Sequence, residues 1–265
     1  MRGGGEVLTA VLLGIFAFTL DAVVHEGLGH GGAALGLGCQ PEMLSSAFWS
    51  GDCTELSDPE GADRWVAAAG TLANLAVALL AGLFIFAAQP RGTVGFALWL
   101  VLVTNLLSGG GYLMVDPLFG FGDWTAFLGP TPSPILKWSL VLLGVGFSSL
   151  GLVLGRRQLL PWIGPPGPER RLRSRRLVLA AYLAGATVVP LSALLGPERE
   201  LVAFTSALST YLGCSWMVWI ALDPLARPST ETVRLRPSAA VWGLGLGSLI
   251  LLFTVLGPGL ALSAR

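Results

Sequence analysis

Long runs of apolar residues, separated by short polar segments, constrain the fold of this chain more than any other feature. A helix needs roughly 20 apolar residues to cross a bilayer, and only helices and closed barrels satisfy every backbone polar group there. Charged residues make up 12% of the chain, whereas soluble domains carry about 25%. We therefore predict an all-α polytopic protein of the lipid bilayer, with about seven transmembrane helices. The predicted spans cover residues 7–37, 64–88, 93–115, 134–155, 177–195, 200–222 and 239–262.

The distribution of Lys and Arg predicts the orientation of these spans. If the N-terminus is cytoplasmic, the inner segments collect 12 of the 16 basic residues, and seven of them are arginines of the segment 156–176, which we interpret as a loop. Inner loops carry such an excess, so we expect the N-terminus inside and the C-terminus outside. The arginine-rich segment is short and has only Trp162 as an aromatic residue, so we expect no nucleic-acid partner.

The only two histidines of the chain, His25 and His30, lie late in the first predicted span together with Asp21 and Glu26. Ionisable side chains at membrane depth are costly, so such a cluster is by default a candidate functional site. Imidazole suits zinc, and His-Glu-x-x-His on a helix supplies two zinc ligands and a general base. In this chain the spacing is one residue longer and reads His-Glu-x-x-x-His.

The longer spacing matters because positions i and i+5 of a regular α-helix lie roughly 140° apart. A π-turn absorbs one extra residue and would return both imidazoles to one face, and the backbone of Gly27-Leu28-Gly29 permits it. We therefore predict a π-turn between the histidines. Two alternatives keep a regular helix and pair Asp21 with His25, or Glu26 with His30. A further alternative is a polar patch that binds no metal.

The polar segment 38–63, after the first span, carries six acidic residues and no basic one, and we interpret it as an outer loop. It also contains Cys39 and Cys53, which can form a disulfide if the loop faces an oxidising compartment. A metal-ligand role for Cys39 is the alternative. Cys214 lies in a later apolar run, and we expect it to pack as a small hydrophobic residue.

Two later motifs place polar residues inside apolar runs. The first is Ala69-Gly70-Thr71-Leu72-Ala73-Asn74, and the second runs from Asn105 through a glycine-rich stretch to Asp116 and Asp123. Taken alone, the two asparagines are interhelical hydrogen-bonding residues. Asp116 precedes a proline and is typical of a turn, while Asp123 is a candidate helix cap.

Together these motifs resemble the site-2 protease family of intramembrane zinc metalloproteases. That family has a His-Glu-x-x-His helix, then an Ala-Gly-Pro-x-x-Asn-like segment, then an Asn-Leu-x-Pro…Asp-Gly segment. The present chain differs in its longer histidine spacing, in Thr71 where proline is usual, and in lacking the Asp-Gly pair. The resemblance covers roughly residues 20–125. It divides the chain into a metalloprotease-like membrane core, residues 1–133, and an accessory membrane region of four helices, residues 134–265.

The resemblance implies a Zn²⁺ site built from residues of the core. It implies His25 and His30 as two ligands and Glu26 as the catalytic base. It implies Asp123 as the third ligand, with Asp116 as the alternative. The implied activity is hydrolysis of peptide bonds in transmembrane protein or peptide substrates.

The same resemblance implies substrate-binding roles for Asn74 and Asn105. We expect the glycine-rich stretch 108–122 to form a mobile loop that helps to hold an unwound substrate. We expect Asp21 to orient His25 rather than to bind the metal, and a ligand role for it stays open. Two other functional classes also stay open. One is a non-catalytic metal-binding scaffold, and the other is a proton or ion transporter that uses the His/Glu cluster as a relay.

Overall fold

The computed structural model describes residues 2–196, 204–205, 208, 211–222 and 232–262. The helices are α1 (Arg2–Ala22), a π-helix (Val23–Gly31), α2 (Gly32–Leu37), α3 (Pro59–Ala88), α4 (Gly92–Phe119), α5 (Asp123–Leu128), α6 (Pro134–Ile163), α7 (Pro168–Ala193), α8 (Trp216–Leu222), α9 (Ala239–Leu251) and a second π-helix (Leu252–Leu256). The strands are β1 (Gln40–Leu44), β2 (Trp49–Asp52) and β3 (Leu260–Ala261).

Six helical segments among the described residues are long and apolar enough to cross a membrane. They are Gly4–Leu37, Pro59–Ala88, Gly92–Phe119, Pro134–Ile163, Pro168–Ala193 and Ala239–Leu256. Six of the predicted spans correspond to these segments, as expected for an all-α membrane protein. The remaining predicted span, 200–222, falls partly outside the described residues, and α8 covers the end of it.

The arginine-rich segment is largely helical, so our interpretation of residues 156–176 as a loop is wrong. α6 continues to Ile163 and α7 begins at Pro168, which leaves only residues 164–167 as the connection. Proline is favoured at the first position of a helix, and arginine is a good helix former. Arg173 also donates to both carboxylate oxygens of Glu6, at 2.7 and 2.9 Å, and this ion pair holds the start of α7 against α1.

α4 is the most central of the spans, since 83% of its most apolar window is buried, compared with 28% for α3. Both α3 and α6 pack against it, and the indole of Trp99 donates to the Gly155 carbonyl of α6. Residues 108–119 belong to α4, so the prediction of a mobile loop over 108–122 is wrong for most of its length. The glycines serve close packing instead, because a Cβ at Gly110 would lie 2.9 Å from the backbone nitrogen of Ser148.

One hydrophobic core joins helices from both halves of the chain. Phe18, Trp99 and Leu107 belong to the same buried cluster as Leu159 and Val178. The helices beyond residue 133 therefore help to fix the helices before it. The division of the chain into a core and an accessory region stays a prediction.

A small antiparallel sheet occupies part of the segment 38–63, where we expected a loop. Its strand order is β2-β1-β3, so the C-terminal strand covers one edge of the hairpin and leaves β2 at the other edge. The predicted disulfide between Cys39 and Cys53 is confirmed, and it joins the residues just outside the two hairpin strands. Cys214 is buried and unpaired, as expected for a small core residue.

Candidate metal centre

A π-helix brings the two histidines onto one face. It spans Val23–Gly31 and ends with the Gly32 N–H donating to the Gly27 carbonyl, five residues earlier. The predicted π-turn is thereby confirmed. The rings of His25 and His30 lie 4.7 Å apart at an interplanar angle of 85°.

A contact between two glycines brings α3 against this π-helix. A Cβ at Gly29 would lie 2.5 Å from the Gly70 Cα, and a Cβ at Gly70 would lie 2.6 Å from the Nε2 atom of each histidine. Heavy atoms do not approach so closely, so only glycine fits at either position. The two Nε2 atoms therefore converge on the bare backbone of Gly70.

The Nδ1 atom of each imidazole faces a hydrogen-bond acceptor. His30 Nδ1 lies 2.7 Å from the Val66 carbonyl oxygen, and His25 Nδ1 lies 2.6 Å from Asn74 Oδ1. A carbonyl oxygen cannot donate, so each Nδ1 carries the proton and each Nε2 is turned toward the centre. Metal-binding histidines are held in this way by donating their other ring N–H to a carbonyl or carboxylate.

A buried amide relay decides which way the Asn74 side chain points. Asn105 Nδ2 donates to the Val101 carbonyl at 2.9 Å, so Asn105 Oδ1 is left to accept from Asn74 Nδ2 at 3.0 Å. Asn74 Nδ2 also donates to Asp21 Oδ1 at 2.8 Å. The Asn74 oxygen is therefore left for the imidazole of His25. Asp21 is thus linked to that imidazole through Asn74, and its orienting role stays a prediction.

The relay also bears on the substrate-binding roles expected for Asn74 and Asn105. Both side chains are fully buried, and the hydrogen bonds described above join them to one another, to His25 and to the backbone. Neither residue lines the cavity described below. Their hydrogen bonds hold the imidazole of His25 in its orientation.

Asp123, at the start of α5, meets both imidazoles from a position 98 residues away from His25. Its Oδ2 atom lies 2.8 Å from His25 Nε2 and 3.3 Å from His30 Nε2. Three electron-rich atoms at such distances require positive charge between them, which ring protons or a bound cation can supply. Burial raises the pKa of the Asp123 carboxyl, but the imidazoles of His30 and His25 outweigh burial and hold that pKa well below its usual range.

Asp116, the alternative third ligand, supports the turn that carries Asp123. Its Oδ2 atom accepts from the Trp124 backbone N–H at 3.3 Å, and its backbone carbonyl accepts from the Thr125 hydroxyl at 2.9 Å. The Trp124 indole in turn donates to Thr71 Oγ1 at 2.9 Å, which ties α5 to α3. Thr71, where site-2 proteases have proline, thus has a structural contact of its own.

Glu26 belongs with the two histidines to a group of side chains that could hold a metal ion. Its Oε2 atom is 3.9 Å from His30 Nε2, and donor atoms of His25, Glu26 and His30 all lie within 4.8 Å of one another. All three side chains are buried, yet all three line a cavity of about 480 Å³. The cavity is also lined by residues of β2, α3, α4 and the 121–123 turn.

Sequence reasoning missed three contributors to this site. Gly70 was noticed only as part of a motif, and its role depends on the helix that packs against it. Tyr112 stacks on His25 at 4.3 Å between ring centroids, and it has no spacing relation to the histidines that could reveal this contact. The Val66 carbonyl is a backbone atom and has no signature in the sequence.

Comparison of the chain with protein-family models, with curated proteins and with solved structures finds no match in any of the three. The assignment of a function therefore depends on the geometry of this centre and on the sequence motifs.

Proposed function

We propose that this protein is an intramembrane zinc metallopeptidase that cleaves membrane-embedded protein or peptide substrates. One observation carries the proposal, namely the convergence of His25 Nε2, His30 Nε2 and Asp123 Oδ2 beside the Glu26 carboxylate. Imidazole nitrogens and carboxylate oxygens are zinc donors, and three protein ligands are typical of catalytic zinc. The bare backbone of Gly70 leaves room at the point where the two Nε2 atoms meet.

The side chains of the protein supply orientation and proton transfer. Asn74 and Val66 hold the two imidazoles, and we assign Asn74 and its partner Asn105 this positioning role in place of substrate binding. When bound, zinc would polarise a substrate carbonyl and make water a better nucleophile at neutral pH. Glu26 lines the same cavity, so its carboxylate would take the proton of the attacking water and deliver it to the leaving amine nitrogen.

The cavity suits a peptide in an extended conformation. A helical substrate hides its backbone bonds in lipid, so the segment to be cleaved must unwind and find new hydrogen-bond partners. β2 forms an edge of the small sheet, and Trp49, Ser50 and Gly51 of this strand line the cavity. An edge strand can accept an extended peptide through main-chain hydrogen bonds.

The proposal places the metal centre near the outer face of the membrane. Several segments contact one another at the end of α1 that is remote from His25. They contain Glu6, Thr93, Trp162 and Arg173. Nineteen residues of helix separate Glu6 from His25, which corresponds to about 28 Å. The arginine-rich segment lies at the Glu6 end, and the positive-inside rule makes that end cytoplasmic.

Metal content and cleavage together test the proposal. We expect the detergent-purified protein to hold about one zinc per chain, and His30→Ala to lose it because a donor is removed. Glu26→Gln should keep the zinc but lose cleavage of a reconstituted transmembrane peptide by about 100-fold or more, because the base is gone. Elemental mass spectrometry and gel analysis of the peptide are the measurements.

The matched control is Glu55→Gln, which removes one exposed acidic charge from the outer segment and should change neither quantity. A wild-type protein that holds no metal would overturn the proposal. Metal that is bound without any cleavage would leave a metal-binding scaffold, and a cation flux that Glu26→Gln abolishes would indicate a transporter.

A further inference from the structure

The cavity beside the metal centre has a marked chemical bias. Its lining includes the carboxylates of Glu26, Asp63 and Asp123, and no Lys or Arg is present among the described residues that line it. Aromatic side chains form much of the remaining wall: Phe48, Trp49, Tyr112 and Phe121. Carboxylates and aromatic faces together are the surroundings that proteins use to bind ammonium and guanidinium groups.

We propose that this cavity selects peptide segments carrying a lysine or arginine close to the cut bond, and that Asp63 is the residue that recognises the basic side chain. This inference rests on the peptidase function proposed above and adds the class of substrate. Among the three carboxylates of the wall, Asp123 is paired with two imidazoles and Glu26 lies next to His30. Asp63 is the one that forms no ion pair among the described residues.

Asp63 is exposed in the first turns of α3. The adjacent Arg64 does not compensate it, because the Arg64 guanidinium donates to Glu60 at 2.6 Å. The surrounding segment 38–63 adds negative potential, since it carries six acidic residues and no basic one. A cation that approaches the cavity from this side therefore meets an uncompensated carboxylate at its edge.

The position of Asp63 along α3 sets where the basic residue would sit in a substrate. Asp63, Val66 and Gly70 follow one another at helical spacing on the face that lines the cavity and meets the histidines. Seven residues of helix correspond to about 10 Å. An extended peptide rises about 3.3 Å per residue, so the basic side chain would lie about three residues from the cut bond.

Trp49 contributes an aromatic ring of β2 to the cavity wall. The face of this ring would contact the basic side chain of a bound substrate.

Binding of peptides to the Glu26→Gln variant tests the inference without requiring turnover. The probes are fluorescent transmembrane peptides that are identical except for Lys, Gln or Glu at single positions within four residues of the cut bond. We expect the Lys peptide to bind about five- to tenfold more tightly than the Glu peptide at one of these positions, as for a partly screened ion pair beside an aromatic ring. Adding Asp63→Asn should remove the preference, and Asp63→Lys should reverse it.

Asp52→Asn is the matched control, because Asp52 is an exposed acid of the same segment that does not line the cavity. It should leave the preference intact. Equal binding of the Lys, Gln and Glu peptides, or a preference that survives Asp63→Asn, would overturn the inference. Charge-independent cleavage by the wild-type protein would do so too while leaving the peptidase function in place. Lys-selective binding to the Glu26→Gln variant, with no cleavage of the same peptides by the wild-type protein, would support the inference and count against the peptidase function.

Discussion

At the scale of single residues, the centre is built by hydrogen bonds that leave each imidazole one orientation. Val66 and Asn74 each present an oxygen that cannot donate, so the protons of His25 and His30 are held on Nδ1. Burying the amide of Asn74 among helices removes its hydrogen bonds to water. Asn105, Asp21 and His25 replace them, since all three lie within hydrogen-bond distance of that amide. A fully paired polar network in a membrane protein is rigid, which is what a preorganised metal site requires.

Gly70 gives the sharpest prediction at this scale. We expect Gly70→Ala to lower metal affinity at least tenfold and to destabilise the fold by about 1–3 kcal/mol, because the added methyl group would overlap both Nε2 atoms and overpack the helix contact. Metal titration of the purified variant and its thermal unfolding in detergent are the measurements.

Gly82→Ala is the matched control on the same helix, because a Cβ there would lie at an ordinary 3.5 Å from one Leu102 methyl group. We expect it to keep the metal. If Gly70→Ala binds metal as tightly as the wild type, the Nε2 atoms do not face the metal as described.

At the scale of elements, the π-helix accommodates the unusual histidine spacing. Val23–Gly31 contains one residue more than a regular helix needs to bring His25 and His30 together. The neighbouring helical segments, α1 and α2, keep regular geometry on either side. The site thus depends on a local change of helical hydrogen bonding rather than on a break in the helix.

Removing one residue from the π-helix tests this interpretation. Deletion of Leu28, whose side chain is 68% exposed, creates the spacing His-Glu-x-x-His. A regular α-helix then places both imidazoles on one face, so we expect the deletion variant to fold and to bind metal within about tenfold of the wild-type affinity. Metal content and the helical circular-dichroism signal are the measurements.

Insertion of one Ala after Leu28 is the contrasting variant, and it should lose the metal because neither helix type realigns a spacing of six residues. A deletion variant that folds but holds no metal would show that the π-helix has a role beyond register.

At the scale of the whole molecule, the arginine-rich segment and the candidate metal centre lie at opposite ends of the helices. The arginine-rich start of α7 is paired with Glu6 at one end of α1, while the acidic segment and the candidate metal centre lie toward the other end. The shared hydrophobic core joins these ends through α4, and the C-terminal strand β3 returns to complete the sheet beside the cavity. The last helices therefore contribute to the support of the centre.

This separation predicts an orientation of the molecule in the membrane, which single cysteines can test. We expect a cysteine introduced at Ser57, in the outer segment, to react with a membrane-impermeant maleimide in intact cells. One introduced at Pro166, in the α6–α7 connection, should react only after permeabilisation, because the positive-inside rule predicts that the basic end faces the cytoplasm. Both positions are exposed.

The native cysteines give little background in this experiment, since Cys39 and Cys53 are paired and Cys214 is buried. The reverse labelling pattern would contradict the proposed orientation.

The amino-acid sequence by itself determined the features that depend on neighbouring residues. Apolar runs long enough to cross a bilayer marked six of the helices, because transfer to lipid depends on the local average of side chains. The glycines around His25 and His30 indicated the π-turn, because hydrogen bonding within a helix is also local. The disulfide also joins residues that are close in the sequence, since its two cysteines are only 14 residues apart.

Only the tertiary structure decided which distant groups meet. It placed Asp123 against both imidazoles and Asp116 behind the turn, although the sequence left both open as ligands. It also turned Asn74 toward His25 and set Gly70 beneath the two Nε2 atoms. These contacts depend on how α3, α4 and α5 pack around the π-helix. Packing between helices is decided by shape over the whole bundle, which no short stretch of sequence encodes.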